Sequence, residues 1–167
     1  EEDVDVLFYG RLNSHRRRAL RALRAAGLRV LHANAHAPVF GSELMSLVKR
    51  AKIILNLRYF LDEEEWKMTR FLRPLANKKL IISERCGNKD ELMHWNDAVV
   101  FVDSFEEMLF EIQKHLDHPQ QRKETASRAA DVFTQLKMET FLEPSLGLLP
   151  VKSCKVQQNM DNKYNNV

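Results

Sequence analysis

Seven arginines fall between Arg11 and Arg29, and no acidic residue stands between Asp5 and Glu43. The segment begins just after an apolar run, VDVLFY, and continues as a helical pattern. In an α/β sheet the carboxyl end of a strand, the first amides of the next helix and nearby guanidinium groups converge on one crevice, which suits an anion. A phosphate or diphosphate is the ligand such a crevice would hold. A solvated arginine-rich helix face fits the same segment.

Helical spacing sorts these arginines. Arg16, Leu20 and Leu23 recur at i, i+4 and i+7, so Arg16 stands in the first turn of the core-facing stripe. Arg17, Arg21 and Arg24 form a separate, solvated stripe. The anion candidates are therefore Arg11 in the turn, Ser14 at the cap and Arg16, with Arg17 in reserve. Gly10 is the single glycine of this turn, so there is no GxGxxG and a nicotinamide or flavin dinucleotide site is disfavoured.

A second group lies in NLRYFLDEEEWKMTRFLRPLANKK. Trp66, Thr69, Arg70 and Arg73 share a helical face beside the core positions Met68, Leu72, Leu75 and Ala76. Trp66 reads as a half-buried staple or a base-stacking ring. Arg70 and Arg73 either pair with Glu63 to Glu65 or with the tail, or meet a ligand. Tyr59 stacks on a base or ribose, or packs under the loop. After the fourth strand, Glu84 is a candidate hydroxyl-binding carboxylate or one half of a surface salt bridge.

Other signals carry less. Asp3-Val4-Asp5 has the form of a metal-binding DxD but precedes the strand, at the wrong end of a sheet. The six histidines show no ligand spacing with cysteine or acidic residues, and Cys86 and Cys154 form neither a disulfide framework nor a metal motif. No metal site or cofactor is expected. No nucleophile elbow, Walker loop or HExxH occurs.

The elements that must position these groups alternate. Strands are expected at Val4 to Tyr9, Leu28 to Ala33, Lys52 to Leu57, Lys79 to Ser83 and Ala98 to Val102. Helices are expected at Asn13 to Ala26, capped by Asn13 or Ser14, and at Ser42 to Lys49. Another should run from the acidic turn at Asp62 to about Asn77. A further one is opened by the Ser104/Glu107 capping box, and the last spans Gln120 to Leu136. This order predicts an α/β, Rossmann-like parallel sheet with helices on both faces.

The 167 residues suit one ordinary domain, expected at 1–140. A polar tail follows at 141–167, flexible or docking on a missing partner domain. A net charge of +3 does not indicate a general nucleic-acid surface. That reading is also disfavoured by the absence of interleaved aromatics and by the acidic run. No apolar run is long enough to span a membrane. With two cysteines and no signal-like start, a cytoplasmic location is expected, and the chain reads as a domain excised from something longer.

Four blocks in order, FYGRLNSHRRRALRALRAAGLRV, GSELMSLVKRAKIILNL, EEEWKMTRFLRPLANKKLIISE and DAVVFVDSFEEMLFEI, resemble the C-terminal half of a GT-B glycosyltransferase. The nearest pattern is the CgeB-like group of the family-1-type glycosyl transferases. The resemblance covers about Val4 to Val132. It implies half of a GT-B fold that binds a nucleotide diphosphate sugar, with UDP as the expected carrier and no metal. It places Gly10 to Arg17 at the diphosphate and Tyr59 to Arg73 at base, ribose and sugar. Where the family often shows a Glu before a small-residue run, the ribose-hydroxyl ligand, this chain has Arg73 in RPLA. The acceptor half is implied as a missing N-terminal domain or a partner chain. The alternative is a non-catalytic Rossmann-like protein-interaction module.

Overall fold

A strand covered on both faces reads as an unbroken apolar run, and VDVLF is such a run: all five of its residues are buried. The computed structural model describes residues 2–34, 38–60, 68–86, 95, 96 and 98–135. In chain order they form β1 (Val4–Phe8), α1 (Ser14–Ala25), β2 (Val30–His32), α2 (Gly41–Arg50) and β3 (Ala51–Asn56). A 3₁₀ turn (Met68–Arg70), α3 (Leu72–Ala76), β4 (Leu80–Glu84), β5 (Val100–Val102), α4 (Phe105–Asp117) and α5 (Pro119–Gln135) follow. The chain divides after Gln135, and the unit Leu136–Val167, with the whole of the expected tail, lies outside the described residues.

The five strands are all parallel, in the order β2-β1-β3-β4-β5. This is the Rossmann-like α/β fold expected from the alternation of elements. One core cluster joins Val6, Phe8, Ile53, Leu55, Leu80 and Ile82 to Leu20 and Leu23 of α1 and to Met108 and Ile112 of α4. Side chains of the other parity, such as Leu7, Ile54 and Ile81, face α2 and α3. Burying each such Leu or Ile contributes about 1.5–3 kcal/mol.

The strand order reverses at β1. The connection to β2 steps one way, and β3, β4 and β5 step the other, so β1 and β3 flank the switch point at whose carboxyl ends sheets of this kind bind ligands. The opposite end of the sheet is closed by ion pairs. Asp5 accepts from Arg29 Nη2 (2.9 Å) and Lys52 Nζ (2.7 Å), and Asp3 pairs with Arg50. The DxD-like pair is thus spent on structural salt bridges away from the crevice.

Local chemistry explains the helix ends. The Asn13 side chain accepts from Arg16 N (2.9 Å), so Asn13 is the cap of α1. Ser104 Oγ accepts from Glu107 N (3.1 Å), while the Glu107 carboxylate reaches back to the amide of Asp103 rather than of Ser104.

One expectation is corrected. Of the helix expected from Asp62 to about Asn77, residues 62–67 lie outside the described residues, and the rest is a 3₁₀ turn followed by the short α3. Pro74 is the cause: its ring clashes with the carbonyl of residue i−4, which is Arg70, and it has no N–H to donate. The buried face shifts accordingly to Phe71, Pro74 and Leu75, while Ala76 is exposed and Leu72 only half-buried.

Candidate functional site at the carboxyl ends of the strands

Gly10 leaves β1 at φ +148°, a conformation that side chains rarely adopt. A Cβ at this position would lie 3.4 Å from the Phe8 ring, 3.5 Å from Arg70 Nη1 and 3.6 Å from Arg16 Nη1. Two guanidinium groups from distant parts of the chain therefore converge on the backbone of Gly10. The Gly10 carbonyl is engaged by His32 Nε2 at 2.9 Å.

The two arginines differ in what they touch. Arg16 is 1% exposed. Its Nε donates to the carbonyls of Leu57 and Arg58 (both 3.1 Å), Nη2 to Leu57 (2.5 Å) and Nη1 to Arg11 (2.7 Å). Its guanidinium also lies 5.4 Å from the Phe8 ring centre and 5.0 Å from that of Tyr59. Arg16 thus clamps the loop after β1 to the loop after β3. Asn13 adds a second clasp, its Nδ2 donating to the carbonyl of Tyr59.

Arg70 is half-buried, and its guanidinium pairs with no carboxylate among the described residues. Its backbone is held from β1: the Tyr9 hydroxyl donates to the Arg70 carbonyl, the one Pro74 keeps out of a helix. Burial pushes the Tyr9 phenol well above its ordinary value, with Arg70 and Arg73 opposing, so it stays a donor.

At the end of β4, the Glu84 side chain is 13% exposed. One oxygen meets His15 Nε2 at 2.8 Å, and the other accepts from the Arg58 amide at 2.6 Å. This is neither a surface salt bridge nor an open carboxylate. It ties the first turn of α1 and the β3 loop to β4.

The structure therefore brings Gly10, Arg16, Tyr59, Arg70 and Glu84 together at one end of the sheet. Arg11, Ser14 and Arg17 are exposed on the turn and first turn of α1, Thr69 is exposed on the 3₁₀ turn, and Arg73 is exposed on α3. Trp66 lies outside the described residues. Sequence reasoning missed Tyr9, His15 and His32 as members of this site. The Asn13 cap was the one local signal; the His15–Glu84 pair spans 69 residues and leaves no spacing to read. No cluster of three or more metal-ligating side chains occurs among the described residues.

A family model described as glycosyl transferase-like matches residues 8–139. The chain belongs to that family. Among solved structures it is similar to a DNA-modifying enzyme, β-glucosyltransferase, whose substrate is uridine diphosphoglucose. The identity is 17% and the TM-score 0.65, over 89% of this chain and 53% of that one. At that identity the likeness is one of fold, and this family member spans about half the length of the enzyme it matches. None of the curated proteins compared with the chain matches it. No helix among the described residues is long and apolar enough to cross a membrane.

Proposed function

We propose that this family member is the donor-binding domain of a metal-independent glycosyltransferase, taking a nucleotide diphosphate sugar at the crevice between β1 and β3. The observation that carries the reading is the half-buried guanidinium of Arg70 beside Gly10, which pairs with no carboxylate among the described residues. In this reading Arg70 and Arg11, with the Ser14 hydroxyl and the first amides of α1, hold the diphosphate. Arg16 acts on the site by fixing the two loops. Tyr59, Thr69 and Arg73 line the nucleotide and sugar side.

The chemistry follows from charge. The bond from the anomeric carbon to the phosphate oxygen breaks, and the departing diphosphate takes the electron pair. The Arg70 guanidinium beside Gly10, assisted by Arg11, stabilises that charge as it builds. The acceptor oxygen forms the new glycosidic bond and loses its proton to a base, which this reading assigns to an N-terminal acceptor domain or a partner chain. The likeness to an enzyme acting on uridine diphosphoglucose supports UDP as the carrier. The CgeB-like subgroup and a cytoplasmic location belong to the same reading.

A second reading, a non-catalytic Rossmann-like interaction module, is favoured by one observation: both Glu84 oxygens are engaged, by His15 and the Arg58 amide, so Glu84 is not open to a ribose. A thermal-shift series with UDP, GDP, ADP and their sugar conjugates separates the two. A ligand at 100 times its dissociation constant adds about 2.7 kcal/mol of stability. A shift with one base's diphosphate, lost in Arg70→Ala, supports the donor domain. No shift with any of them sinks it.

A further inference from the structure

The register between β1 and β2 ends at the pair Phe8 and His32, so the Gly10 carbonyl lies beyond its last rung. The His32 side chain meets that carbonyl instead. Its ring is tilted 32° against the Phe8 ring, with centres 5.6 Å apart, and its Nε2 lies 2.9 Å from the Gly10 oxygen. A carbonyl oxygen only accepts, which assigns the hydrogen to Nε2. His32 is 9% exposed, so packing against Phe8 holds the imidazole on this partner.

This bond orients more than the carbonyl. A glycine restrains the rotation of the following peptide little, and Gly10 already sits at φ +148°. The Gly10–Arg11 peptide is trans and planar, so turning its C=O toward β2 turns the Arg11 N–H the opposite way. β1 lies between β2 and β3, and the amide therefore faces the β3 side, where Arg16 reaches the carbonyls of Leu57 and Arg58. The Arg11 amide meets no acceptor among the described residues, while the Arg11 carbonyl is taken by Arg16 Nη1 at 2.7 Å. Arg70 Nη1 approaches the same glycine, 3.5 Å from where a Cβ would stand.

We propose that His32 is a positioning residue of the donor site, aiming the Arg11 amide at the diphosphate beside the Arg70 guanidinium. The inference rests on the donor-domain reading and adds to it a main-chain donor and the side chain that orients it. The two donors act differently on an anion: the guanidinium attracts it by charge, and the fixed amide selects which oxygen it meets. With the Gly10–Arg11 peptide turned over, a carbonyl oxygen would face the anion in place of an N–H and repel it. Loss of the Nε2 donor permits that rotation. His32 itself touches no substrate atom and transfers no proton.

The test is NMR and calorimetric titration of the 167-residue chain with inorganic pyrophosphate and with UDP. In the free protein, long-range proton–nitrogen spectra should show the His32 hydrogen on Nε2. Either ligand should move the Arg11 amide signal downfield. His32→Phe keeps a flat ring without a donor and should weaken both ligands about tenfold, the low end for a hydrogen bond to a charged group. His32→Gln places an amide nitrogen near the position of Nε2 and should restore the affinity, whereas a role confined to packing gives the opposite order. Should His32→Phe fail to fold, the Nε2 hydrogen and the Arg11 signal of the unaltered chain still decide. A hydrogen on Nδ1 alone overturns the proposal before any ligand is added. Binding that is lost in Arg70→Ala but leaves the Arg11 amide unmoved, or is undiminished in His32→Phe, overturns it and leaves the donor reading standing. Failure of both ligands to bind overturns the donor reading, and this proposal with it.

Discussion

The hydroxyl of Tyr9 donates to the backbone carbonyl of Arg70, 61 residues further along the chain. Pro74 makes this bond possible, because its ring bars the Arg70 carbonyl from an α-helical partner. The end of β1 thus holds in place the segment that carries Arg70, whose guanidinium reaches Gly10 and pairs with no carboxylate among the described residues. Replacing Tyr9 by Phe should cost about 1 kcal/mol of stability, the net worth of one hydrogen bond. Nucleotide affinity should fall with it, because Arg70 loses its anchor. Melting and diphosphate titration of the variant check both; unchanged affinity would show that the anchor does not serve the site.

Arg16 and Arg70 should separate cleanly. Arg16→Ala leaves the carbonyls of Arg11, Leu57 and Arg58 without their donor, and should destabilise the domain by about 2–4 kcal/mol. Arg70→Ala removes a half-buried cation that pairs with no carboxylate among the described residues, so it should change melting little while weakening diphosphate binding by about 1.5–3 kcal/mol. Chemical denaturation and nucleotide titration of the two variants would show opposite patterns. A stable Arg16→Ala with normal melting would refute the clamp.

His15 and Glu84 should be energetically coupled. They meet at 2.8 Å, and the second Glu84 oxygen is held by the Arg58 amide. A double-mutant cycle with His15→Ala and Glu84→Gln should give an interaction energy of about 0.5–3 kcal/mol. Additive effects would mean that the pair contributes nothing to holding α1 on β4.

Stability should decline on mild acidification because of His115. Burial between α4 and α5 holds its imidazole below the ordinary histidine value; Glu111 opposes this, and Lys114, Arg122 and His118 reinforce it. The folded state therefore binds this proton less readily than the unfolded chain. The stabilisation is complete above the ordinary value of about 6.5 and is lost as pH falls below it. Urea denaturation as pH falls below about 6.5 should show this slope, and His115→Leu should flatten it. The depressed carboxylates, Asp5 held down by Arg29 and Lys52, act in the same direction but only in more acidic solution.

The residues show how far local pattern reaches. The alternation of buried strands and amphipathic helices, the Asn13 cap and the Ser104 cap are all properties of a few neighbouring residues, and they alone determined the parallel α/β class. The arginine excess on α1 was equally plain. Pro74 was legible too, yet its consequence was not: it breaks the helix and exposes a carbonyl whose acceptor role depends on Tyr9.

What the chain does with its charges was decided by tertiary contacts across 41 to 69 residues, in Arg16 with Leu57, Tyr9 with Arg70 and His15 with Glu84. Helical spacing placed Arg16 on the inward face, and only the fold shows that backbone carbonyls of two loops occupy it there. The spacing of residues along a helix states which way a side chain points. Which group it meets depends on loops brought together by the sheet, because strand order is set by packing of the whole core and not by any one segment.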